Sequence, residues 1–255
     1  MCSFLYSVYV FYLNTASKYV YKLVVYIYLC QEIVYSNQGI GKKYFFEIFS
    51  SSLCLYSSER NFSMKIGLFF GSFNPIHMGH LIIAETAHSQ TDIDRVWMVV
   101  SPQNPFKQKK NLLSEYNRLR MVELGIGDSV HIQASSVEFH LPKPSFTIDT
   151  LTHLKEKYPD YEFALIMGSD NLVHFHKWKN YEAILEHYHI YVYPRTREIG
   201  ELPFLDHPHV SLFEAPFLDI SATYIRETIR ADHSVRYLVP DAVRDYLEAS
   251  RAYLD

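Results

Sequence analysis

Short apolar runs recur along the chain after residue 63, and polar residues, glycine or proline separate them. Gly71, Ser101, Gly168 and Pro194 each follow directly on one of these runs. Apolar runs of about four to eight residues that stop at a turn-forming residue are typical of buried β-strands. We therefore predict strands at residues 66–70, 95–100, 130–133, 162–167, 189–193 and 209–213.

The segments between these strands carry helical patterns. Ser114 precedes one of them as a predicted N-cap, because its hydroxyl can accept a backbone N–H of the first helical turn. Strands that alternate with helices of about ten residues form parallel βαβ units with right-handed crossovers. The predicted fold class is α/β: a Rossmann-like, doubly wound, mostly parallel sheet with helices on both faces. Helices are predicted at residues 81–85, 115–124, 147–157, 181–186, 220–226 and 240–252.

Residues 1–63 differ in composition from the rest of the 255-residue chain. They hold all three cysteines and ten of the 21 tyrosines, but no histidine, proline, tryptophan or aspartate. The apolar stretches at 5–13 and 23–30 are shorter than the roughly 18–20 residues of a membrane helix, and no signal-peptide pattern is clear. We expect a non-native or unstructured extension over residues 1–63, with Met64 as the native start; a weak membrane anchor is the alternative.

The charge balance after Ser63 limits the kinds of partner that the chain can have. This part holds 19 basic and 25 acidic residues, which gives a formal charge of −6. An acidic surface disfavours broad binding to nucleic acid or to an anionic membrane, although a locally basic pocket can still hold a small phosphorylated substrate. The absence of cysteine after Ser63 excludes disulfides and thiolate chemistry there and suits a reducing cytoplasm.

The stretch from Lys65 to His80 carries the first chemical signal. A predicted strand ends at Gly71, the chain turns through Asn74, and a predicted helix follows. A strand, a glycine turn and a helix start form an anion-binding unit, since free backbone N–H groups and the helix dipole face the ligand. His77 and His80 lie three residues apart at the helix start, and this spacing places both imidazoles on one face. The stretch predicts a phosphate site.

The motif at residues 71–80 (GSFNPIHMGH) resembles the signature of the HxGH nucleotidyltransferase superfamily. Further motifs in the same order resemble one member family, the bacterial nicotinate-mononucleotide adenylyltransferases. The resemblance covers residues 64–255 and none of residues 1–63. These motifs are residues 167–171 (MGSDN) followed by Trp178, residues 193–195 (YPR) and residues 220–226 (ISATYIR).

The resemblance implies that residues 64–255 form one nucleotidyltransferase domain of NAD biosynthesis. It would transfer AMP from ATP to nicotinate mononucleotide, giving nicotinate adenine dinucleotide and pyrophosphate. The attacking phosphate is already ionised, so positioning and charge neutralisation suffice for catalysis. The expected catalytic residues are His77, His80 and Arg226. The expected ATP-binding residues are Gly71, Ser72, Phe73, Gly79, Asp170, Ser221 and Thr223.

Fewer residues of the sequence point to the second substrate and to the metal than to ATP. Asn104, Lys107, Thr147 and Trp178 are candidates for binding nicotinate mononucleotide, with Trp178 stacked on the pyridine ring. Thr147 can instead simply cap its helix, and Trp178 can be a packing residue at the rim. Mg²⁺ is expected to bridge phosphate oxygens of ATP, with no dedicated protein metal site. A homo-oligomer is compatible with the sequence, and the acid and the amide mononucleotide are both open as the second substrate.

Several other polar residues have purely structural interpretations. Lys109 and Lys110 fit a solvated run. His174 fits a surface position, and Arg118 and Arg120 fit ion pairs on their predicted helix.

Three other functions share part of this pattern. An adenylyltransferase that prefers nicotinamide mononucleotide or phosphopantetheine would use the same histidine motif, although the pantetheine family usually has threonine in place of His77. A class I aminoacyl-tRNA synthetase would need a far longer chain and a lysine-rich second signature. A catalytically inactive nucleotide-binding regulator would have no need of His77, His80 and Arg226 together.

Overall fold

The computed structural model describes residues 63–102, 112–195 and 201–254. Its centre is a six-stranded sheet with the order β3-β2-β1-β4-β5-β6, in which every neighbouring pair is parallel. The strands are β1 Met64–Gly71, β2 Arg95–Val100, β3 Ile132–Ser135, β4 Tyr161–Gly168, β5 His189–Tyr193 and β6 Val210–Leu212.

Helices connect consecutive strands from β1 to β5, as the βαβ pattern requires. Two 3₁₀ turns, Val137–His140 and Phe175–Lys177, add to them. The α-helices are α1 Met78–Gln90, α2 Glu115–Ile126, α3 Thr147–Lys157, α4 Ser169–Val173, α5 Tyr181–His187, α6 Ala222–Arg230 and α7 Asp241–Ser250.

The described helices divide between the two faces of the sheet. Buried residues of α1, α2, α6 and α7, such as Ala84 and Val243, share one apolar cluster with Phe69 of β1. Buried residues of α3 and α5, such as Leu151, share a second cluster with Leu68 of β1. Both faces of the central strands are therefore covered, which is why these strands read as continuous apolar runs. The predicted doubly wound α/β fold is confirmed.

The strand order indicates the edge of the sheet at which a ligand is expected to bind. The chain order reverses between β1 and β4, which are neighbours in the sheet, and ligands of doubly wound sheets bind outside the carboxyl ends of the strands at such a point. Gly71 is paired with Val100, and Gly168 with Tyr193. The carboxyl ends of four strands thus meet at one edge.

The third strand lies two residues later than predicted. The Ser129 hydroxyl accepts the backbone N–H groups of His131 (3.4 Å) and Ile132 (3.2 Å), and this turn delays the strand to Ile132. Val130 consequently projects into solvent, where 69% of it is exposed. A hydroxyl that bonds to nearby backbone competes with the sheet ladder, and the apolar pattern of residues 130–133 does not reveal that competition.

The short helix α4 was not predicted, and α1 begins earlier than predicted. Ser169 follows β4 directly and is the first residue of α4, so the motif at residues 167–171 spans a strand end and a helix start. In the three described ranges, no helix is long and apolar enough to cross a bilayer.

Candidate active site

A cavity of about 510 Å³ lies at the carboxyl ends of β1 and β4. Its walls come from the turn after β1, the first residues after β4, the end of β5 and the start of α6. The predicted site residues that line it are Gly71, Ser72, Phe73, His77, His80, Asp170, Trp178, Ser221, Thr223 and Arg226.

The two histidines form a stacked pair at the start of α1. His77 is the N-cap in an extended conformation, and its ring centroid lies 3.6 Å from that of His80, with 24° between the planes. The His77 backbone N–H donates to Nδ1 of His80 at 3.3 Å. Because this Nδ1 accepts a hydrogen bond, the neutral His80 ring carries its proton on Nε2. A neutral His80 is therefore a hydrogen-bond donor through Nε2.

His77 is buried and electrically neutral near pH 7. Burial, followed by the positive charge of Arg195, lowers the pKa of His77 from 6.5 to about 4. Its Nδ1 is buried and has no hydrogen-bond partner among the described residues. A buried polar atom without a partner is costly, and this nitrogen lies beside the backbone of Gly79.

The pKa of His77 leads to a prediction about stability. The unfolded state binds the proton below about pH 6.5 while the native state resists it until about pH 4. The free energy of unfolding should therefore decrease by about 3 kcal/mol as the pH falls across this window, at 1.36 kcal/mol per pKa unit. Urea unfolding of the wild type and of His77→Gln, followed across these pH values, measures the difference. Equal slopes for the two proteins would contradict the prediction.

Two glycines and Phe73 shape the pocket around the histidines. A Cβ atom at position 71 would lie 2.7 Å from the Phe73 ring, and one at position 79 would lie 3.1 Å from Nδ1 of His77. Phe73 adopts a positive φ of 44° and packs edge-on against His80 with 5.0 Å between centroids. Gly79 is outside the lining residues, and its missing side chain leaves room for the His77 ring.

The start of α6 contributes another part of the cavity lining. The Ser221 hydroxyl caps the helix by accepting the Tyr224 N–H at 3.1 Å. The Arg226 guanidinium donates to the Thr223 hydroxyl at 3.1 Å and to the Asn74 carbonyl at 2.8 Å. The Nε atom of Arg226 is buried without a partner in the described part of the chain. Hydroxyls, a guanidinium and helix N–H groups at one place suit an anion.

Asp170 lies beside Arg195, which the sequence motif contained but which was not among the predicted site residues. Their Oδ1 and Nε atoms are 3.8 Å apart, and both side chains line the cavity. The backbone N–H of Arg195 donates to the Ser169 hydroxyl at 3.1 Å. A Cβ at position 168 would collide with the side chains of Asp170 and Arg195, so a larger residue there would displace them. The YPR motif was the signal that could have identified Arg195.

The residues predicted for the second substrate are only partly brought together. Trp178 lines the cavity and packs edge-on against Phe175 with 5.4 Å between centroids. Thr147 is the first residue of α3, after the N-cap Phe146, and lies outside the lining residues. Asn104 and Lys107 lie outside the described residues.

Arg118 was expected in an ion pair, and that expectation is corrected by its hydrogen bonds. The side chain is fully buried, and the guanidinium donates to four backbone carbonyls. Arg120, in contrast, is exposed and paired with Glu123 at 3.3 Å, as expected. Arg118 thereby joins the turn after β1 to the segment after β2. The acceptors are the carbonyls of Ser72 (2.7 Å), Ser101 (2.8 Å), Leu113 (3.0 Å) and Pro102 (3.2 Å).

The chain is similar in sequence to a family model and to several known proteins. A family model described as cytidylyltransferase-like matches residues 68–228. The chain is 52% identical over 190 residues to a probable nicotinate-nucleotide adenylyltransferase of Cytophaga hutchinsonii, covering 74% of this chain and 98% of the relative. It is 49% identical over 191 residues to the protein of the same name in Flavobacterium psychrophilum, covering 74% and 99%.

Solved structures show the same fold at lower identity. The chain is similar to a Plasmodium falciparum nicotinic acid mononucleotide adenylyltransferase complexed with NaAD, with a TM-score of 0.64 and 22% identity over 74% of this chain and 97% of that one. A putative nicotinate-nucleotide adenylyltransferase from Vibrio parahaemolyticus gives a TM-score of 0.55 and 21% identity, covering 74% and 94%.

Proposed function

The chain belongs to the nicotinate-nucleotide adenylyltransferases, within the cytidylyltransferase-like family, and from this premise we propose how its site performs the reaction. The enzyme transfers AMP from ATP to nicotinate mononucleotide, and it releases nicotinate adenine dinucleotide and pyrophosphate. The observation that supports this assignment most directly is the stacked pair of His77 and His80, which shares one cavity with the Arg226 wall.

The first half of the mechanism concerns the α-phosphate of ATP. Nε2–H of His80 and the N-terminus of α1 are the donors for oxygens on which negative charge increases as the attacking phosphate approaches. His77 is neutral before ATP binds, and a phosphate beside it favours protonation. The imidazole pair can thereby acquire positive charge when the substrate anion arrives. The attacking phosphate is itself an anion, so no protein base is needed.

The second half of the mechanism concerns the leaving pyrophosphate. Arg226, Thr223 and the first N–H groups of α6 supply cationic and neutral donors in the same cavity. Charge accumulates on the β- and γ-phosphates as the bond to the α-phosphorus breaks, and fixed donors there stabilise the transition state. Asp170 is proposed to contact the ribose or adenosine of ATP.

The nicotinate mononucleotide subsite is proposed around Trp178, with Asn104, Lys107 and Thr147 as further contacts. Trp178 lies on the wall that is formed by the segment after β4. The adjacent Lys179 is paired with Asp149 of α3 at 2.9 Å. This pair connects the Trp178 segment to the first turn of α3, where Thr147 lies. A planar indole beside polar groups suits a pyridine ring that carries a carboxylate.

Mg²⁺ is proposed to enter with ATP. The described lining residues offer mainly imidazole, hydroxyl and guanidinium groups, with Asp170 as their one carboxylate, and these donors fit phosphate oxygens. Mg²⁺ is usually held by substrate phosphates with few protein ligands. When bound, it would neutralise charge on the phosphate oxygens.

The cellular location and the partners of the enzyme are proposed from its charge and composition. The formal charge of −6 after Ser63 and the absence of cysteine from that part favour a cytoplasmic enzyme that binds neither nucleic acid nor membrane. ATP and nicotinate mononucleotide are the proposed partners, and the domain is proposed to be residues 64–255.

A comparison of two candidate substrates tests the proposed function. The full chain is incubated with ATP, Mg²⁺ and either nicotinate or nicotinamide mononucleotide, and pyrophosphate release is followed. We expect a higher kcat/KM with the acid. A preference for the amide would reassign the substrate, and ATP binding without turnover on either compound would indicate a nucleotide-binding regulator.

A further inference from the structure

Tyr253, located after α7, contacts the turn that precedes the histidine motif. Its hydroxyl donates to Oδ1 of Asn74 at 2.7 Å, and the residue is only 7% exposed. Burial raises the pKa of Tyr253, so the phenol keeps its proton and remains a donor. The hydroxyl also lies within electrostatic range of Arg226 and Arg118.

Asn74 is joined by separate hydrogen bonds to three other segments of the chain. Its Oδ1 atom also accepts the backbone N–H of Leu113 at 3.2 Å, just before α2. Its backbone carbonyl accepts the Arg226 guanidinium at 2.8 Å. Asn74 is buried and lies three residues before His77. A displacement of Asn74 would therefore move both the acceptor that holds Arg226 and the entry to α1.

We propose that Tyr253 is a positioning residue for adenylyl transfer, which holds Asn74 so that Arg226 and the turn before His77 keep the geometry that ATP requires. A phenylalanine would fill the same space, and the hydroxyl adds a desolvation cost unless its hydrogen bond is made. The bond it makes is to Asn74, which lies in the turn before His77 and whose carbonyl accepts the Arg226 guanidinium. The inference rests on the proposed function, because it assigns Arg226 and His77 to ATP.

The test is steady-state kinetics of Tyr253→Phe in the full chain. We expect kcat to fall and the KM for ATP to rise, each about tenfold, because small errors in position are costly in a preorganised site. The KM for nicotinate mononucleotide should stay unchanged, since Trp178 lies on a different wall. The melting temperature should fall by no more than about 2–4 °C, as expected for one lost hydrogen bond. General destabilisation would not produce this split between the two KM values.

Three further variants make the test decisive. Tyr246→Phe makes the same chemical change on α7, where Tyr246 is partly buried against the same apolar cluster and lies within electrostatic range of Tyr253. Its kinetics should stay much nearer to the wild type than those of Tyr253→Phe, because the hydrogen bond to Asn74 is kept. If Tyr253 acts through Asn74, then Asn74→Ala and the double variant Asn74→Ala with Tyr253→Phe should have equal kcat and equal KM for ATP. Equal kinetics for Tyr253→Phe and Tyr246→Phe, or fully additive effects in the double variant, would overturn the proposal.

The same proteins separate this proposal from the proposed function. Absence of turnover in the wild type would contradict the function itself. The dissociation constant for ATP, measured by calorimetry in the same series, then decides about Tyr253. Weaker ATP binding by Tyr253→Phe than by Tyr246→Phe supports the positioning role, and equal binding contradicts it.

Discussion

His80→Ala should lower kcat by roughly 10²–10³, the usual effect of removing one donor that acts on developing transition-state charge. The Nε2–H of His80 is such a donor, because its Nδ1 accepts the His77 N–H and so leaves the proton on the other nitrogen. The KM for each substrate should change much less than kcat if the interaction strengthens in the transition state. Stopped-assay measurement of pyrophosphate release provides both parameters.

Two companion variants separate chemistry from helix capping. Removing the Nδ1 acceptor should itself cost about 1 kcal/mol of unfolding free energy, as for other N-terminal caps. His80→Gln restores a capping side chain at the third helical position, so its stability should approach that of the wild type while kcat stays low. His187→Ala, on an exposed residue at the end of α5, is the control for histidine loss. A normal kcat in His80→Ala would remove His80 from the mechanism.

Arg118→Ala should have the largest effect on stability, lowering the free energy of unfolding by about 3–5 kcal/mol. The guanidinium is fully buried and donates to four carbonyls from the turn after β1 and the segments on either side of the undescribed residues 103–111. Buried carbonyls that lose a charged donor incur a desolvation cost. Chemical denaturation monitored by circular dichroism measures the change.

Arg120→Ala provides the matched control on the same helix. Arg120 is exposed and forms an i,i+3 pair with Glu123, and such pairs contribute at most about 0.5 kcal/mol. The two substitutions remove the same side chain from neighbouring positions, so they differ only in burial and in hydrogen bonding. Similar losses of stability in both variants would show that the carbonyl network contributes little.

The sequence pattern predicted the elements well wherever packing alone decides them. The strand at residues 189–193 and the helix at residues 147–157 begin and end where they were predicted. Both elements were predicted from the spacing of their apolar residues, and the packing of the folded protein agrees with that spacing. The third strand was misplaced because a hydroxyl of Ser129 binds backbone N–H groups, and no apolar pattern records that bond.

The sequence predicted those site residues that belong to recognisable motifs. His77, His80 and Arg226 line a single cavity, as the resemblance implied. Arg118 and Asn74 were missed for a physical reason. The acceptors of Arg118 are backbone carbonyls, which every residue type provides, so the sequence does not show which ones it binds. Asn74 binds side chains that are distant in sequence, Tyr253 and Arg226, and no local pattern indicates those pairings.

The hydrogen bond between Tyr253 and Asn74 has a consequence for synthesis of the protein on the ribosome. It joins positions 179 residues apart, and the backbone bond from Met78 to the Leu238 carbonyl also joins distant segments. A nascent chain that has reached α7 already contains all the strands described above, yet it still lacks Tyr253. Since a domain generally folds as a unit, the nucleotide pocket should reach its final shape only after the last helix has emerged, and a chain terminated before Tyr253 would lack the hydrogen bond that holds Asn74.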